Sequence, residues 1–140
     1  MEETRYGLKI TVPINYDLAV QRTTEALKAE GFGVLTTIDV QQTLRAKLNR
    51  AFRKYVILGA CNPQLADRAL HAEIDIGLLL PCNVIVYEAN ASVTVIAAMA
   101  LLVALGIVGE DSDLISVATE ADRRLRRALT TLEQHVPSAA

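Results

Sequence analysis

The C-terminal quarter of the sequence carries an apolar stripe that other parts of the chain must cover. Leucine and alanine recur every three or four residues between Leu114 and Leu132, which is the spacing of one face of an α-helix. Ser112 or Asp113 is suited to cap the start of this helix, and Pro137 ends it. Because the opposite face is charged, the stripe has to pack against a sheet or another helix, which limits the fold to layered architectures.

Five other segments have the patterns of β-strands. Most alternate apolar and polar residues, as a strand with one buried face does, whereas the third has a continuous apolar centre, as in a doubly covered strand. The tight turn at Asn90-Ala91 joins the last two predicted strands, which are therefore antiparallel. The predicted strands cover residues 6–12, 33–39, 54–61, 83–88 and 92–97.

Three further helices are predicted between and after the strands. Asn15 or Asp17 can cap the first, and Gly31 is placed to end it, since glycine accepts the left-handed conformation found after helix ends. Asn62 is a good N-cap for the second, and Pro63 suits the first helical position. The predicted helices cover residues 16–30, 63–72 and 98–108, while 41–50 fits a short helix or an extended arm and 74–80 an apolar connector.

This order of elements predicts an α+β fold. Strands and helices do not alternate regularly as they do in a parallel doubly wound sheet, and the late hairpin requires antiparallel pairing. We expect a curved, mainly antiparallel sheet of about five strands packed against the long C-terminal helix. With 140 residues, the chain is expected to form a single domain over residues 1–137, followed by a loose tail at 138–140.

The charge balance argues against a nucleic-acid-binding protein. The net charge is -2 and the pI is about 5.7, whereas such domains are usually basic and carry aromatic side chains for base stacking. Aromatic residues make up only 4% of this chain. The first residues are charged and show no secretory signal, so we expect a cytoplasmic protein with reduced thiols.

One uncharged stretch, residues 89–109, is long enough to cross a bilayer as a helix. Its first part, from Ser92 to Ile96, alternates polar and apolar residues as a half-buried strand does. Its flanks are Glu88 and Glu110, without a nearby Lys or Arg to set an orientation. We therefore expect a strand followed by a buried helix or an oligomer contact, and no membrane span.

The two cysteines lie in similar settings. Cys61-Asn62-Pro63 closes one apolar strand, and Pro81-Cys82-Asn83 opens another. If these strands pair antiparallel, both thiols lie at the same end of the sheet and can share a site, whereas parallel pairing would separate them. Cys61 is the more reactive candidate, because it precedes a helix N-terminus, where free amides and the helix dipole stabilise a thiolate.

These blocks also resemble a known family. Residues 31–36, 58–63 and 77–88, which include both Cys-Asn pairs, are similar to the bacterial and archaeal domain-of-unknown-function family numbered 302. The resemblance covers roughly residues 14–96, and the C-terminal helix fits it too. It implies a small α+β fold of the TATA-binding-protein-like or helix-grip kind, without a settled activity. Family members often have Asp-Pro after the fifth strand, where this chain has Ala97-Ala98-Met99.

The favoured function is a ligand-binding or thiol-redox module whose site contains Cys61, Asn62, Cys82 and Asn83. In this hypothesis the asparagines orient a thiol or a ligand. The competing interpretation is structural, because free cysteine is often a small buried hydrophobic residue and asparagine often caps the backbone. No catalytic signature accompanies the thiols, so no enzymatic activity is assigned.

Two other functions fit the sequence. An apolar small molecule can bind between the sheet and the C-terminal helix, provided that Leu125, Leu129 and Leu132 do not fill the space. The apolar segment 97–108 can instead form an assembly surface, because exposed apolar stretches usually mark interfaces, and we expect a homodimer.

No metal site is expected and no cofactor is assigned. Cys61, Cys82 and His71 are too few and too widely spaced for structural zinc, which needs four ligands at short spacings. The arginines at positions 123–127 are expected to form a solvated helix face in which Glu120 pairs with Arg124, and not an anion site.

Overall fold

Six strands pair into one antiparallel sheet in the computed structural model of the chain, which describes residues 1–105 and 111–135. The strands are β1 (Glu2–Glu3), β2 (Gly7–Val12), β3 (Gly33–Asp39), β4 (Tyr55–Cys61), β5 (Cys82–Asn90) and β6 (Val93–Met99). Their order across the sheet is β1-β2-β6-β5-β4-β3. The predicted α+β class is confirmed. The short strand β1 was not predicted, because two exposed glutamates carry no strand pattern.

The helices occupy the connections and the C-terminal end. They are α1 (Tyr16–Ala29), α2 (Val40–Leu48), α3 (Pro63–Ala72), α4 (Leu101–Leu105) and α5 (Ser112–His135), with a 3-10 helix over Ile74–Leu79. Segment 41–50 is thus largely helical, and the predicted connector contains a 3-10 helix. The predicted helix over residues 98–108 is wrong at its start, because β6 continues to Met99. Its last residues, 106–108, lie outside the described part, as does the predicted tail 138–140.

The helices α1 and α5 cover one face of the sheet. Both contact β6, and along each central strand alternate residues are buried toward them. Leu8, Ile10, Val56, Leu58, Val84 and Val86 form this inner face, each no more than 4% exposed. We call the opposite side, with its half-buried residues, the outer face.

The stripe predicted on the C-terminal helix is confirmed as the main contact of α5. Its six predicted members are all buried: Leu114, Ala118, Ala121, Leu125, Leu129 and Leu132. The predicted cap is wrong. Asp111 caps the helix, because its carboxylate accepts the backbone N–H groups of Asp113 at 2.9 Å and Leu114 at 3.1 Å.

The charged face of α5 is held by ion pairs. The predicted pair of Glu120 with Arg124 is confirmed at 2.7 Å, and Arg123 reaches the same carboxylate. Hydrogen bonds from Arg123 and Arg124 lower the pKa of Glu120 to about 2, so it stays charged over the physiological range. Arg126 joins the buried Asp122 to Glu3, which ties β1 to this helix.

The uncharged stretch at 89–109 does not form one long helix. Residues 93–99 are strand β6, and the described helix that follows starts at Leu101. Within residues 1–105 and 111–135, no helix combines the length and the apolar composition needed to cross a membrane.

Gly31 ends α1 as predicted. Its φ is +86°, and the backbone N–H groups of Gly31 and Phe32 donate to the carbonyls of Lys28 and Leu27. This is the Schellman arrangement, in which a left-handed residue turns the chain out of the helix. A Cβ at Gly31 would lie 2.8 Å from Nδ2 of Asn62, so the glycine also makes room for the start of α3.

Replacing Gly31 with alanine should therefore destabilise the protein. We expect the free energy of unfolding to fall by about 1–2 kcal/mol, from the left-handed backbone and the contact with Asn62 together. Urea denaturation would show this as a lower midpoint with an unchanged slope. Gly33→Ala is the matched control, since a Cβ there meets nothing within 4 Å. Equal effects of the two substitutions would contradict the explanation.

Candidate functional site

A cavity of about 400 Å³ lies at one end of the sheet, between α3, the 3-10 helix and α5. Its wall is largely apolar, and both cysteines line it. Concave apolar spaces of this size are typical of small-molecule sites. The apolar wall includes Phe32, Leu65, Ala69, Leu101, Val117 and Ala121.

The pairing of β4 with β5 brings the two cysteines to the same end of the sheet. Cys61 is the last residue of β4 and Cys82 is the first residue of β5, and Ala60 is the direct antiparallel partner of Cys82. The two strands are therefore antiparallel, which is the arrangement that the two cysteines need in order to lie at the same end of the sheet. Both thiols are free, with Cys82 buried and Cys61 half-buried.

The thiol of Cys82 is held in its neutral form. Burial raises the pKa of this thiol to about 11, and the neighbouring Cys61 adds to the rise. The thiolate, and not the thiol, is the nucleophile and the metal ligand. At neutral pH Cys82 is thus poorly suited to either role and well suited to form part of an apolar wall.

Asn62 has a structural role in the cavity wall. Its side-chain oxygen accepts the backbone N–H of Leu65 at 3.2 Å, which caps α3, and Pro63 occupies the first helical turn. The side chain is only 7% exposed and its amide nitrogen faces Gly31. The capping role considered from the sequence is therefore present, and the same residue lines the cavity.

Asn83 does not join the other three predicted residues. Successive residues of a strand point to opposite faces, and Asn83 is exposed on the outer face while Cys82 is buried on the inner face. It lines a separate groove beside Tyr55 and Tyr87. The structure thus groups Cys61, Asn62 and Cys82 at one cavity and separates Asn83 from them.

Gly59 allows close packing beside this cavity. A Cβ there would overlap the side chain of Thr36 and would lie 2.9 Å from Cγ of Pro81. Pro81 lines the cavity and is joined to Leu80 by a cis peptide bond. The glycine before Ala60 and Cys61 therefore lets β3, β4 and the start of β5 meet.

Several wall residues were not predicted from the sequence. Thr36 adds a hydroxyl, Ile76 and Leu79 come from the segment predicted as a connector, and Val117 comes from α5. The apolar pair Leu79-Leu80 was a usable signal, since a solvated connector is normally polar and both residues line the cavity, whereas Leu78 beside them is 89% exposed. The sequence did not indicate that Val117 lines the cavity. A buried apolar residue of α5 has the same sequence pattern whether it packs in the core or lines a cavity.

The histidine considered with the cysteines lies elsewhere. His71 is exposed on α3, with Nδ1 2.8 Å from the backbone carbonyl of Asp67. In the described ranges, no three His, Cys, Asp or Glu side chains are grouped so that they could hold a metal ion.

Comparisons with known proteins find one family and a similar solved structure. The family model described as "Domain of unknown function DUF302" matches residues 8–132. A crystal structure of an uncharacterized conserved protein DUF302 from Bacillus stearothermophilus is 31% identical, with a TM-score of 0.82. The match covers 91% of this chain and 98% of that one. No curated protein matches the sequence.

Proposed function

The chain belongs to the DUF302 family, as the two Cys-Asn blocks predicted, and we propose that it binds a compact apolar small molecule in the cavity beside Cys82. The family description assigns no activity. The observation that carries the proposal is the apolar wall of a cavity of about 400 Å³, a volume within the usual range for ligand sites.

The polar groups of the cavity suit recognition more than catalysis. They are few, namely the hydroxyl of Thr36, the amide of Asn62 and the two thiols. A small number of polar groups in an apolar wall is the usual means of orienting a ligand. The buried, neutral thiol of Cys82 contacts an apolar ligand without a large desolvation cost.

The proposal combines two hypotheses from the sequence. The thiol motifs and the space beside the C-terminal helix meet in the same cavity, because Val117, Ala118 and Ala121 of α5 form part of its wall. The leucines considered from the sequence as occupants of such a space are buried further along α5 and do not line it: Leu125, Leu129 and Leu132. Thiol-redox chemistry that uses both cysteines is the less favoured function, since it needs thiolates and Cys82 is protonated at neutral pH.

A first experiment asks whether the isolated protein retains a ligand or takes up an apolar probe. Native mass spectrometry should show added mass on the protein as isolated, or an environment-sensitive apolar dye should bind it with one saturable site. A protein that carries no added mass and binds no apolar dye would contradict the proposal.

Matched substitutions on α3 would locate the binding. Ala66 lines the cavity and Ala72 does not, although both are half-buried on the same helix. We expect Ala66→Phe to weaken dye binding at least about tenfold by filling the space, because a phenyl group displaces a comparable part of a ligand. Ala72→Phe should leave the affinity unchanged. Fluorescence titration measures both, and equal weakening by the two variants would place binding elsewhere.

A further inference from the structure

The outer face of the sheet has the composition of an interface. An antiparallel sheet with one face on the core normally exposes polar residues on the other. Here the outer face is apolar over its central strands, where Ile57, Ile85 and Ala97 are half-buried. Ile38 on β3 is 48% exposed, whereas Lys9 makes the β2 end of the face polar. Paired residues form a row across five strands, from β3 to β2: Ile38, Ile57, Ile85, Ala97 and Lys9.

Tyrosines form a second cluster on this face. Tyr55 and Tyr87 are paired across strands and their rings stack at 5.4 Å. Tyr6 lines the same groove as these two tyrosines. Burial raises the pKa of Tyr55, and the neighbouring Tyr87 and Tyr6 add to the rise. Tyr6 is 78% exposed, which is high for a large aromatic side chain. Tyrosine, methionine and arginine are enriched in interface cores, whereas Lys, Glu and Asp are depleted there.

Two cations beside this face, Lys9 and Arg53, are already engaged. The ammonium group of Lys9 lies 4.0 Å from the Glu2 carboxylate. The guanidinium of Arg53 lies over the Tyr87 ring at 5.8 Å, and it donates to the backbone carbonyl of Glu88. Binding to nucleic acid or to an anionic membrane requires cations that can neutralise phosphates. An apolar protein surface is the partner that this face suits.

The size of the face fits an interface between two protein surfaces. Five strands with six residues each measure on the order of 24 by 20 Å, or about 500 Å² in projection. Accessible area exceeds projected area, and the exposed side chains of Tyr6 and Val103 add to the border. Specific interfaces bury about 600–1,000 Å² on each partner, and the lower end of that range exceeds the projected area of the face by only about 100 Å².

We infer that the outer face is the dimer interface of this protein, with the outer face of a second copy as its partner. Two apolar sheet faces pack well at about 10 Å separation, as in a sandwich. A closed two-fold contact buries both copies of the face and leaves none to recruit a third chain. The groove that holds Asn83 also holds Ala97, Met99 and Val103, so the assembly segment predicted from the sequence contributes to the same interface.

Sedimentation equilibrium of three lysine variants tests this interface. Tyr6→Lys and Val103→Lys change exposed residues at its border, and Ile115→Lys is the matched control at an exposed position of α5. We expect a wild-type dimer at micromolar concentration. The two border variants should raise the dimer dissociation constant at least about tenfold, and the control should leave it unchanged. Circular dichroism verifies that all three remain folded.

Several outcomes would overturn the inference. One is a wild-type protein that stays monomeric across the micromolar range. A monomer would overturn the inference even if a small molecule were found bound to the outer face. Another is a dimer whose dissociation constant responds to Ile115→Lys as strongly as to the border variants. A dimer that none of the three substitutions affects would likewise place the interface elsewhere.

Discussion

Alkylation of Cys82 in the folded protein should be slower than in the unfolded chain by at least about tenfold at pH 8. With a pKa of about 11, the thiol is only about 0.1% ionised at that pH, about 100-fold less than a thiol of pKa 9. The greater intrinsic nucleophilicity of a more basic thiolate restores up to about tenfold of the rate. Burial of Cys82, which is 8% exposed, slows the reaction further.

The measurement uses iodoacetamide with Cys61→Ala, so that Cys82 is the sole remaining thiol. The same variant in concentrated urea provides the reference rate, and Cys82→Ala reports the half-buried Cys61 separately. Equal rates for Cys82 in the folded and unfolded states would show an accessible, ionisable thiol. That result would favour thiol-redox chemistry over the apolar cavity wall that we propose.

The raised pKa of Cys82 also predicts a direction for stability against pH. The folded state holds this proton more tightly than the unfolded state does. The contribution of this thiol to stability is therefore constant below about pH 9 and is lost as the pH rises toward 11.

Replacing Leu125 with alanine should remove about 3 kcal/mol from the free energy of unfolding. Leu125 is 0% exposed at the centre of the α5 stripe. Shortening a fully buried leucine removes its transfer free energy and leaves a cavity that the neighbours only partly fill. Chemical denaturation measures the loss directly, as a lower midpoint with the slope unchanged.

Leu48→Ala is the matched control for this substitution. Leu48 also lies on a helix, but it is 61% exposed, and we expect a change within about 0.5 kcal/mol. A loss below about 1 kcal/mol at Leu125 would mean that the α5 stripe is not packed as the structure describes.

Local patterns predicted most of the secondary structure correctly. The α5 stripe, the Gly31 helix end and the Asn62 cap follow from neighbours within four residues, where geometry is almost independent of the rest of the fold. The errors also have physical reasons. Asp111 competes with Ser112 and Asp113 for the same cap, and composition alone does not separate three suitable residues in succession.

The candidate site was predictable only in part. Two similar motifs at strand ends indicated that Cys61 and Cys82 could share a location, and the antiparallel pairing of β4 with β5 places both at the same end of the sheet. The same motif placed Asn83 in the site, although the pleat turns it to the outer face. A motif records adjacency along the chain, whereas a site depends on the direction of each side chain.

The sequence by itself determined the class of the fold, the long helix that closes it and the family of the protein. These depend on periodicity and short motifs, which a chain carries without any partner. The tertiary structure decided which residues of the two Cys-Asn motifs line one cavity, namely Cys61, Asn62 and Cys82 but not Asn83. It also decided that Cys82 is a neutral wall residue, because the burial that raises its pKa comes from segments distant along the chain.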